Sequence, residues 1–167
     1  MIWPTLDLVR RKGGQPIISK GGHAFMKDRM RRENALFAGE LSGHYYFRNN
    51  FYADNGVIPF LLIIEHLSTQ DKPFSEIMRQ YMAGHYMSGE LNYHVKDIKG
   101  VIEKVKERFH GEGQEDYTDG FSLETADWRF NIRGSNTEPL LRLNIEARED
   151  GLVEQIKNQL EEIINAN

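Results

Sequence analysis

Residues 128–145 read WRFNIRGSNTEPLLRLNI, and this stretch decides the fold of the C-terminal half of the chain. Apolar and polar residues alternate over Trp128–Ile132 and again over Leu141–Ile145, which is the period of a β-strand with one buried face. The segment between them contains Gly, Asn and Pro, which are residues typical of turns. The stretch therefore predicts two antiparallel strands joined by a loop.

The segments on either side of this hairpin predict the rest of an antiparallel sheet. Leu91–Val95 alternates as a half-exposed strand does, and Asp97 is a good N-cap for a helix that continues to Phe109. Two or three strands follow, and the chain closes with a helix whose apolar residues recur at helical spacing: Leu152, Ile156, Leu160 and Ile163. The order β-α-β-β-β-α predicts an antiparallel sheet with two helices on one face.

The first 55 residues predict a partial α/β sheet unit. Helices predicted over Thr5–Lys12 and His23–Glu33 alternate with short apolar runs at Pro16–Ser19 and Ala35–Ala38. We predict both runs as strands, and the second as a buried strand. A strand–helix–strand order is typical of α/β units.

Two further helices complete the N-terminal half. Val57–Leu67 is apolar almost all round, which predicts a buried helix. Phe74–Met82 is a second predicted helix. The overall class is therefore α+β, and we divide the chain into a partial α/β domain over residues 1–75, a linker region over 76–90 and an α+β domain over 91–167.

The composition excludes several classes of protein. The 167 residues are 40% hydrophobic and 28% charged, as in ordinary globular proteins, and the absence of cysteine excludes disulfide scaffolds and thiol chemistry. The longest apolar stretch, Gly56–Ile64, falls short of the ~20 residues of a membrane-spanning helix. Residues 1–4 lack the features of a signal peptide. These observations predict a cytoplasmic protein without a membrane partner.

The charge of the chain is unevenly distributed. The net charge of −4 argues against general affinity for nucleic acid. Residues 1–36 nevertheless carry eight Lys and Arg against three Asp and Glu, whereas residues 101–167 carry eight against fifteen. The basic N-terminal segment could bind an anionic ligand or form a solvated helix face.

The loop Arg133–Pro139 has more polar groups than a turn requires. Arg133 offers a bidentate fork, Ser135 and Thr137 offer hydroxyls, and Asn136 offers an amide. Gly134 allows backbone N–H groups to approach a ligand. The loop could therefore bind phosphate, whose oxygens suit charge-assisted donors, or it could be a structural hairpin turn.

A second polar loop, Gly39–His44, follows the predicted strand around Leu36. Glu40 could accept hydrogen bonds from two adjacent sugar hydroxyls, and Ser42 could donate or accept one. The alternative is a polar turn in which His44 occurs by chance. His23, at the start of a predicted helix, could act as an acid, a base or an anion partner, or could serve as an ordinary capping residue.

Several motifs are missing from the sequence. The six histidines include no pair at metal-ligand spacing, and the chain has no DxDxD triplet, Walker loop or GxGxxG motif. No nucleophile-elbow sequence occurs either. We therefore predict no metal site, whereas counting residues leaves Ser–His–acid catalysis open.

Two segments together resemble the α-D-phosphohexomutases of the bacterial phosphomannomutase/phosphoglucomutase type. SKGGHAFMKDRMRRENALFAGELSGHYYF, at residues 19–47, resembles the third-domain region of that family. ADWRFNIRGSNTEPLLRLNIEAR, at residues 126–148, resembles its C-terminal phosphate-binding domain. The resemblance implies an incomplete third mutase domain followed by the C-terminal mutase domain.

The resemblance implies an isomerase of carbohydrate metabolism that interconverts mannose 6-phosphate and mannose 1-phosphate, or the glucose pair. Glu40, Ser42 and His44 would then contact the substrate, with His23 lining the cleft as an assisting residue. The phosphate-binding residues would be Arg133, Gly134, Ser135, Asn136 and Thr137. The phosphoserine loop and the Asp-rich Mg²⁺ loop of the family have no counterpart here, so we expect Mg²⁺ in the parent enzyme only and no activity from this chain alone.

Two other functions remain open for the isolated chain. It could be a non-catalytic module that binds phosphosugars. It could also be an interaction fragment that forms a homodimer or complements the N-terminal mutase domains, because an incomplete α/β unit exposes a strand edge and apolar surface.

Overall fold

A computed structural model of the chain describes residues 2–135 and 138–166. These residues form two compact units. One unit comprises the residues up to 16 together with those from 82 onward, and the other comprises residues 17–81. The predicted domain boundaries, with a linker over residues 76–90, stay a prediction. The two compact units differ from the predicted domains because the first helix belongs to the same unit as the C-terminal residues.

The described residues contain six α-helices and eight β-strands. The helices are α1 (Trp3–Arg11), α2 (His23–Glu33), α3 (Val57–Ser68), α4 (Phe74–Met82), α5 (Ile98–Phe109) and α6 (Leu152–Asn165). The strands are β1 (Phe37–Gly39), β2 (Tyr45–Phe47), β3 (Ala53–Asp54), β4 (Tyr86–Tyr93), β5 (Gln114–Asp116), β6 (Phe121–Glu124), β7 (Trp128–Gly134) and β8 (Leu141–Ala147). Two antiparallel sheets with helices confirm the mixed α+β class.

The larger unit contains a five-stranded antiparallel sheet in the order β4-β8-β7-β6-β5. The predicted hairpin is confirmed, with Phe130 opposite Ile145 and Ile132 opposite Leu143. Four strands follow α5, whereas the sequence predicted two or three. The additional strand is the short edge strand β5, whose three residues show little alternation. Asp97 caps α5 as predicted, accepting the Gly100 N–H at 2.9 Å.

One face of this sheet forms the main hydrophobic core with α5 and α6. The inward side chains of β6, β7 and β8 pack against Val105 and Phe109 of α5 and against Leu160 of α6, and all of them are essentially inaccessible to solvent. This arrangement follows from the two-residue period of the strands and the helical spacing of the apolar residues.

The opposite face of the sheet contacts α1. Glu146, next in sequence to the inward-facing Ile145, accepts the backbone N–H groups of Ile2 at 2.8 Å and Trp3 at 2.9 Å. Arg129 donates to the same carboxylate at 2.8 Å. A side chain of the sheet therefore satisfies amide donors at the start of α1 that a helix cannot satisfy itself.

The smaller unit contains a three-stranded antiparallel sheet, β1-β2-β3, with α2 packed on it, together with α3 and most of α4. Its core is small and consists of Met26, Met30 and the fully buried Tyr46. The predicted helix over His23–Glu33 is confirmed at both ends.

Two predicted strands of this unit differ in the structure. No strand forms at Pro16–Ser19, where no neighbouring strand pairs with the backbone and both isoleucines are exposed. The second strand covers Phe37–Gly39 rather than Ala35–Ala38, and it is not buried, since Phe37 is half exposed. The prediction of these strands rested on their apolar residues. A strand also needs a neighbouring strand to pair with its backbone, and a local sequence pattern does not specify that neighbour.

The burial predicted for the helix over Val57–Leu67 is wrong. The helix itself forms as α3, but of its residues only Pro59 is buried. Five consecutive apolar side chains, Phe60 to Ile64, are each about half exposed. An apolar surface of this kind is typical of an interaction site. Among the described residues, every helix is too short or too polar to cross a lipid bilayer.

Candidate functional site

The loop Gly39–His44 joins β1 to β2 as a tight polar hairpin. The Glu40 N–H donates to the His44 carbonyl at 2.9 Å, and the Gly43 N–H donates to the Glu40 carbonyl at 3.0 Å. Gly43 adopts a φ of 83°, a conformation that glycine reaches without steric cost. The closed turn presents Ser42 to solvent and leaves His44 half-buried.

The Glu40 carboxylate is anchored inside its own unit. One oxygen accepts the Gly22 N–H at 3.0 Å, and the other accepts the Tyr46 hydroxyl. Burial of the Tyr46 ring, reinforced by this hydrogen bond, raises the pKa of Tyr46 far above its ordinary range. Glu40 therefore ties the hairpin loop to the start of α2, and each of its oxygens retains a further lone pair for a ligand.

The start of α2 brings a second histidine to the hairpin loop. The rings of His23 and His44 meet edge to face, with their centroids 4.8 Å apart. The His44 Nδ1 lies 2.9 Å from the Ser42 hydroxyl. Asp54, at the end of β3, completes the group, with its Oδ2 4.0 Å from the His23 Nε2. The fold thus brings His23 to the loop of Glu40, Ser42 and His44, although the sequence had singled out the helix start and the loop separately.

The second loop begins where β7 ends. Arg133 and Gly134 are the last residues of the strand, and the Ser135 N–H donates to the Leu140 carbonyl at 2.8 Å, which closes the loop. A Cβ added at Gly134 would meet only the Ile98 Cγ2, at an ordinary 3.4 Å. Contacts with the described residues therefore do not by themselves require glycine at this position.

Two arginines face each other beside this loop. Arg133 pairs in register with Arg142 across the β7–β8 ladder, so both side chains leave the same face of the sheet. Glu90 contacts both guanidinium groups, at 3.8 Å from Arg133 Nη2 and 3.4 Å from Arg142 Nη1. Asp119 lies 3.8 Å from Arg133 and Glu138 lies 3.4 Å from Arg142. We call Arg133 and Arg142 the arginine pair.

Gly120 allows a neighbouring turn to lie against the arginine pair. Its φ is 78°, and an added Cβ would come within 2.5 Å of the Ile132 carbonyl oxygen and the Arg133 Cβ. Only glycine fits this conformation and this space. The close contact brings the turn that carries Asp119 to the base of the Arg133 side chain.

The structure therefore describes seven of the nine candidate site residues; Asn136 and Thr137 lie outside the described residues. Sequence reasoning missed other residues that lie in these clusters, among them Tyr46, Asp54, Glu90 and Arg142. Alternation along the second strand places Arg142 on the polar face of the sheet, but the register that sets it opposite Arg133 came only from the structure. Asp54 carried no comparable signal.

The fold is that of the two C-terminal domains of a phosphohexose mutase. The family domain described as "Phosphoglucomutase/phosphomannomutase, alpha/beta/alpha domain III" matches residues 4–85. The domain described as "Phosphoglucomutase/phosphomannomutase, C-terminal domain" matches residues 90–163. The chain therefore belongs to the phosphoglucomutase/phosphomannomutase family.

Individual relatives agree with this assignment. The chain is 48% identical over 149 residues to a phosphomannomutase of Escherichia coli K12, an alignment that covers 89% of this chain and 33% of that protein. It is 44% identical over 160 residues to a protein of Xanthomonas campestris named "Phosphohexose mutases", which covers 95% of this chain and 36% of the relative. The chain spans about a third of the length of the curated relatives it matches.

A crystal structure of a Burkholderia thailandensis phosphoglucomutase/phosphomannomutase family protein has the same fold. It superposes with a TM-score of 0.77 at 28% sequence identity, and the match covers 97% of this chain and 35% of that one. The resemblance stated on the two motifs is thus confirmed at the level of the family.

Proposed function

We propose that this chain supplies the sugar-hydroxyl and phosphate contacts of a phosphohexose mutase acting on mannose phosphates or glucose phosphates. The observation that carries the proposal is the arginine pair beside the loop that begins at Gly134. Two guanidinium groups on one face, with hydroxyl and backbone donors beside them, suit a doubly charged phosphate.

The phosphate site consists of Arg133, Gly134 and Ser135, together with Asn136 and Thr137. Arg142 adds a second guanidinium from the neighbouring strand. Glu90 contacts both guanidinium groups, so its carboxylate offsets the repulsion between the two arginines before a ligand binds. This site would hold the phosphate that does not react, and so orient the sugar for the chemical step.

The sugar site consists of Glu40, Ser42 and His44, with His23 beside them as an assisting residue. The anchoring of Glu40 by Gly22 and Tyr46 supports this assignment, since it fixes the carboxylate before any sugar binds. Fixed acceptors distinguish hydroxyl positions better than mobile ones do, because less ordering accompanies binding. These groups would contact hydroxyls that mannose and glucose share.

Mg²⁺ belongs, in this proposal, to the parent enzyme. Mg²⁺ takes oxygen ligands in octahedral geometry, whereas the one cluster of three ligating side chains among the described residues combines two histidines with an aspartate. The residues present therefore do not fit Mg²⁺. We expect this chain alone to show no mutase turnover, and metal-dependent conversion of mannose 1-phosphate by the purified chain would contradict the proposal.

An amide NMR titration with mannose 1-phosphate tests the two binding sites, with inorganic phosphate as the reference ligand. With the sugar phosphate, we expect shifts at residues 39–44 and at residues 133–135. With inorganic phosphate, we expect shifts at residues 133–135 alone. Arg133→Gln should weaken binding about tenfold or more, since each charge-assisted hydrogen bond is worth about 1.5–3 kcal/mol. Arg32→Gln, on an exposed arginine of α2, is the matched control. Equal affinity of both variants would overturn the proposal.

The exposed apolar surface of α3 favours a second candidate function, association with another protein chain. Residues 60–64 present five consecutive apolar side chains to solvent. We propose that this surface joins two copies of the chain, or joins it to the N-terminal domains of a mutase. Such a surface is uncommon on a protein that acts as a monomer.

Sedimentation velocity at several protein concentrations tests this association. The double substitution Leu61→Glu/Leu62→Glu adds charge to the surface and should shift the chain to monomer. Glu65→Lys, which changes charge on the same helix without removing apolar area, should leave association unchanged. A wild-type chain that sediments as a monomer at all concentrations would exclude the homodimer.

A further inference from the structure

We propose that His23, His44 and Asp54 bind a divalent transition-metal ion of the zinc class. Each side chain offers one ligand atom, and the three atoms lie within 4.8 Å of one another. Among the residues described, this is the one group of three such side chains. This site differs from a Mg²⁺ site, because two of its three ligand atoms are nitrogen.

Three different elements of one compact unit build this site. His23 is the first residue of α2, His44 precedes β2, and Asp54 ends β3. The β2–β3 ladder pairs Tyr46 with Asp54, and the His23 ring also packs edge to face on the Tyr46 ring, with centroids 5.3 Å apart. The fully buried Tyr46 thus fixes the separation of the helix from the strands.

Hydrogen bonds to neighbouring groups orient two of the three ligands. The Ser42 hydroxyl holds the His44 Nδ1 at 2.9 Å, so that Nε2 is the atom we assign to the metal. The Tyr45 N–H donates to the Asp54 Oδ1 at 3.0 Å, which leaves Oδ2 facing the His23 Nε2. Partners of this kind fix ring and carboxylate orientation in metal sites generally.

The donor set selects the class of metal. Two imidazole nitrogens and one carboxylate oxygen suit Zn²⁺ and neighbouring transition metals, whereas Mg²⁺ and Ca²⁺ prefer oxygen alone. Zinc–ligand bonds of ~2.0–2.1 Å place the ligand atoms roughly 3.3 Å apart, so the site must contract on binding. His23 can supply that movement, because 48% of its side chain is exposed. Three protein ligands leave at least one position for water.

Titration of the metal-free full chain with Zn²⁺ by calorimetry, and with Co²⁺ by visible absorption, tests the proposal. No sugar or phosphate is present, so the outcome is independent of the proposed function, although His23, Ser42 and His44 also belong to the proposed sugar site. We expect one ion per chain, no heat with Mg²⁺, and Zn²⁺-induced amide shifts around residues 23, 44 and 54.

Variants separate this site from adventitious histidine binding. His23→Asn and Asp54→Asn should each weaken Zn²⁺ binding by more than tenfold. Ser42→Ala removes no ligand but removes the hydroxyl that orients His44, and it should weaken binding by about tenfold. His110→Gln, on a histidine with 84% of its side chain exposed, should bind as the wild type does. Far-ultraviolet circular dichroism checks that each variant is folded. Absence of stoichiometric binding to the wild type, or equal affinities in folded His23→Asn and His110→Gln, would overturn the proposal.

Discussion

Arg133 and Arg142 are register partners on β7 and β8, and the carboxylate of Glu90 lies against both guanidinium groups. Like charges directly opposite each other on a sheet destabilise it. Glu90 offsets that repulsion in the absence of ligand. A phosphate at the same place would do so more completely, because it offers more acceptor oxygens and more charge.

We therefore expect Glu90→Gln to destabilise the ligand-free chain by about 1 kcal/mol, the size of a strong cross-strand charge effect. Inorganic phosphate should restore stability, so the phosphate-induced rise in melting temperature should be larger in this variant than in the wild type. Glu149→Gln, on an exposed glutamate, is the control for loss of one negative charge. An equal rise in all three proteins would show that phosphate does not bind at the arginine pair.

The contact between Glu40 and Tyr46 predicts a coupled pair. Glu40→Ala leaves the buried Tyr46 hydroxyl without its acceptor, which should cost about 1–3 kcal/mol of unfolding free energy. The same substitution in a Tyr46→Phe background should cost less, because no hydroxyl is then left unpaired. Urea unfolding of the four proteins measures the coupling, and Leu41→Ala, on an exposed side chain, serves as the control. Additive costs would contradict a direct interaction.

The buried ion pair between Arg129 and Glu146 predicts a larger loss. Their side chains are 7% and 3% exposed, and the pair is joined at 2.8 Å. Arg129→Met would leave the Glu146 charge buried without this partner, and removing one member of a buried pair costs about 3–5 kcal/mol. Urea unfolding checks the value. Arg108→Gln, which removes Arg108 of α5 from its exposed pair with Glu112, should change stability by less than about 1 kcal/mol.

Asp7 predicts a dependence of stability on pH. Its hydrogen bond from Arg148, aided by one from His85, holds the pKa of the Asp7 carboxyl below its ordinary value despite the opposing effect of burial. A lowered pKa in the folded state gives stability that is present above the unfolded pKa of about 3.9 and is lost as the pH falls through the folded value.

Asp7→Asn should therefore reduce stability at pH 7 and flatten the loss of stability below about pH 4. Urea unfolding at a series of pH values measures both effects. Asp28→Asn, which removes a carboxylate with 64% of its side chain exposed, is the matched control. The same acid dependence in Asp7→Asn as in the wild type would contradict the role assigned to the contact with Arg148.

Most elements of the C-terminal half could be predicted from the sequence. The strand predicted at Leu91–Val95 overlaps β4, which begins five residues earlier at Tyr86 and ends at Tyr93. The alternation at 128–132 and 141–145, the Asp97 cap and the spacing of Leu152 to Ile163 are local signals, and each produced the element it indicated. The short edge strand β5 was missed because three residues carry too little periodicity.

The N-terminal unit could be predicted only in part. Its helices carry helical spacing, and α2 begins and ends where the sequence predicted. The strand expected at Pro16–Ser19 and the burial expected for α3 depended on neighbouring elements, and a local pattern does not specify those. The motifs singled out Glu40, Ser42 and Arg133, but not the residues that hold them in place.

By itself, the sequence determined the family, the elements of the C-terminal sheet and the two polar loops, because these depend on short-range periodicity and on residue identity. Only the tertiary structure decided which side chains meet. Arg142 faces Arg133 through strand register, and Asp54 joins His23 and His44 because β3 and α2 both pack against β2. Contacts between residues distant in sequence form only when the chain packs, and their geometry is set by that packing.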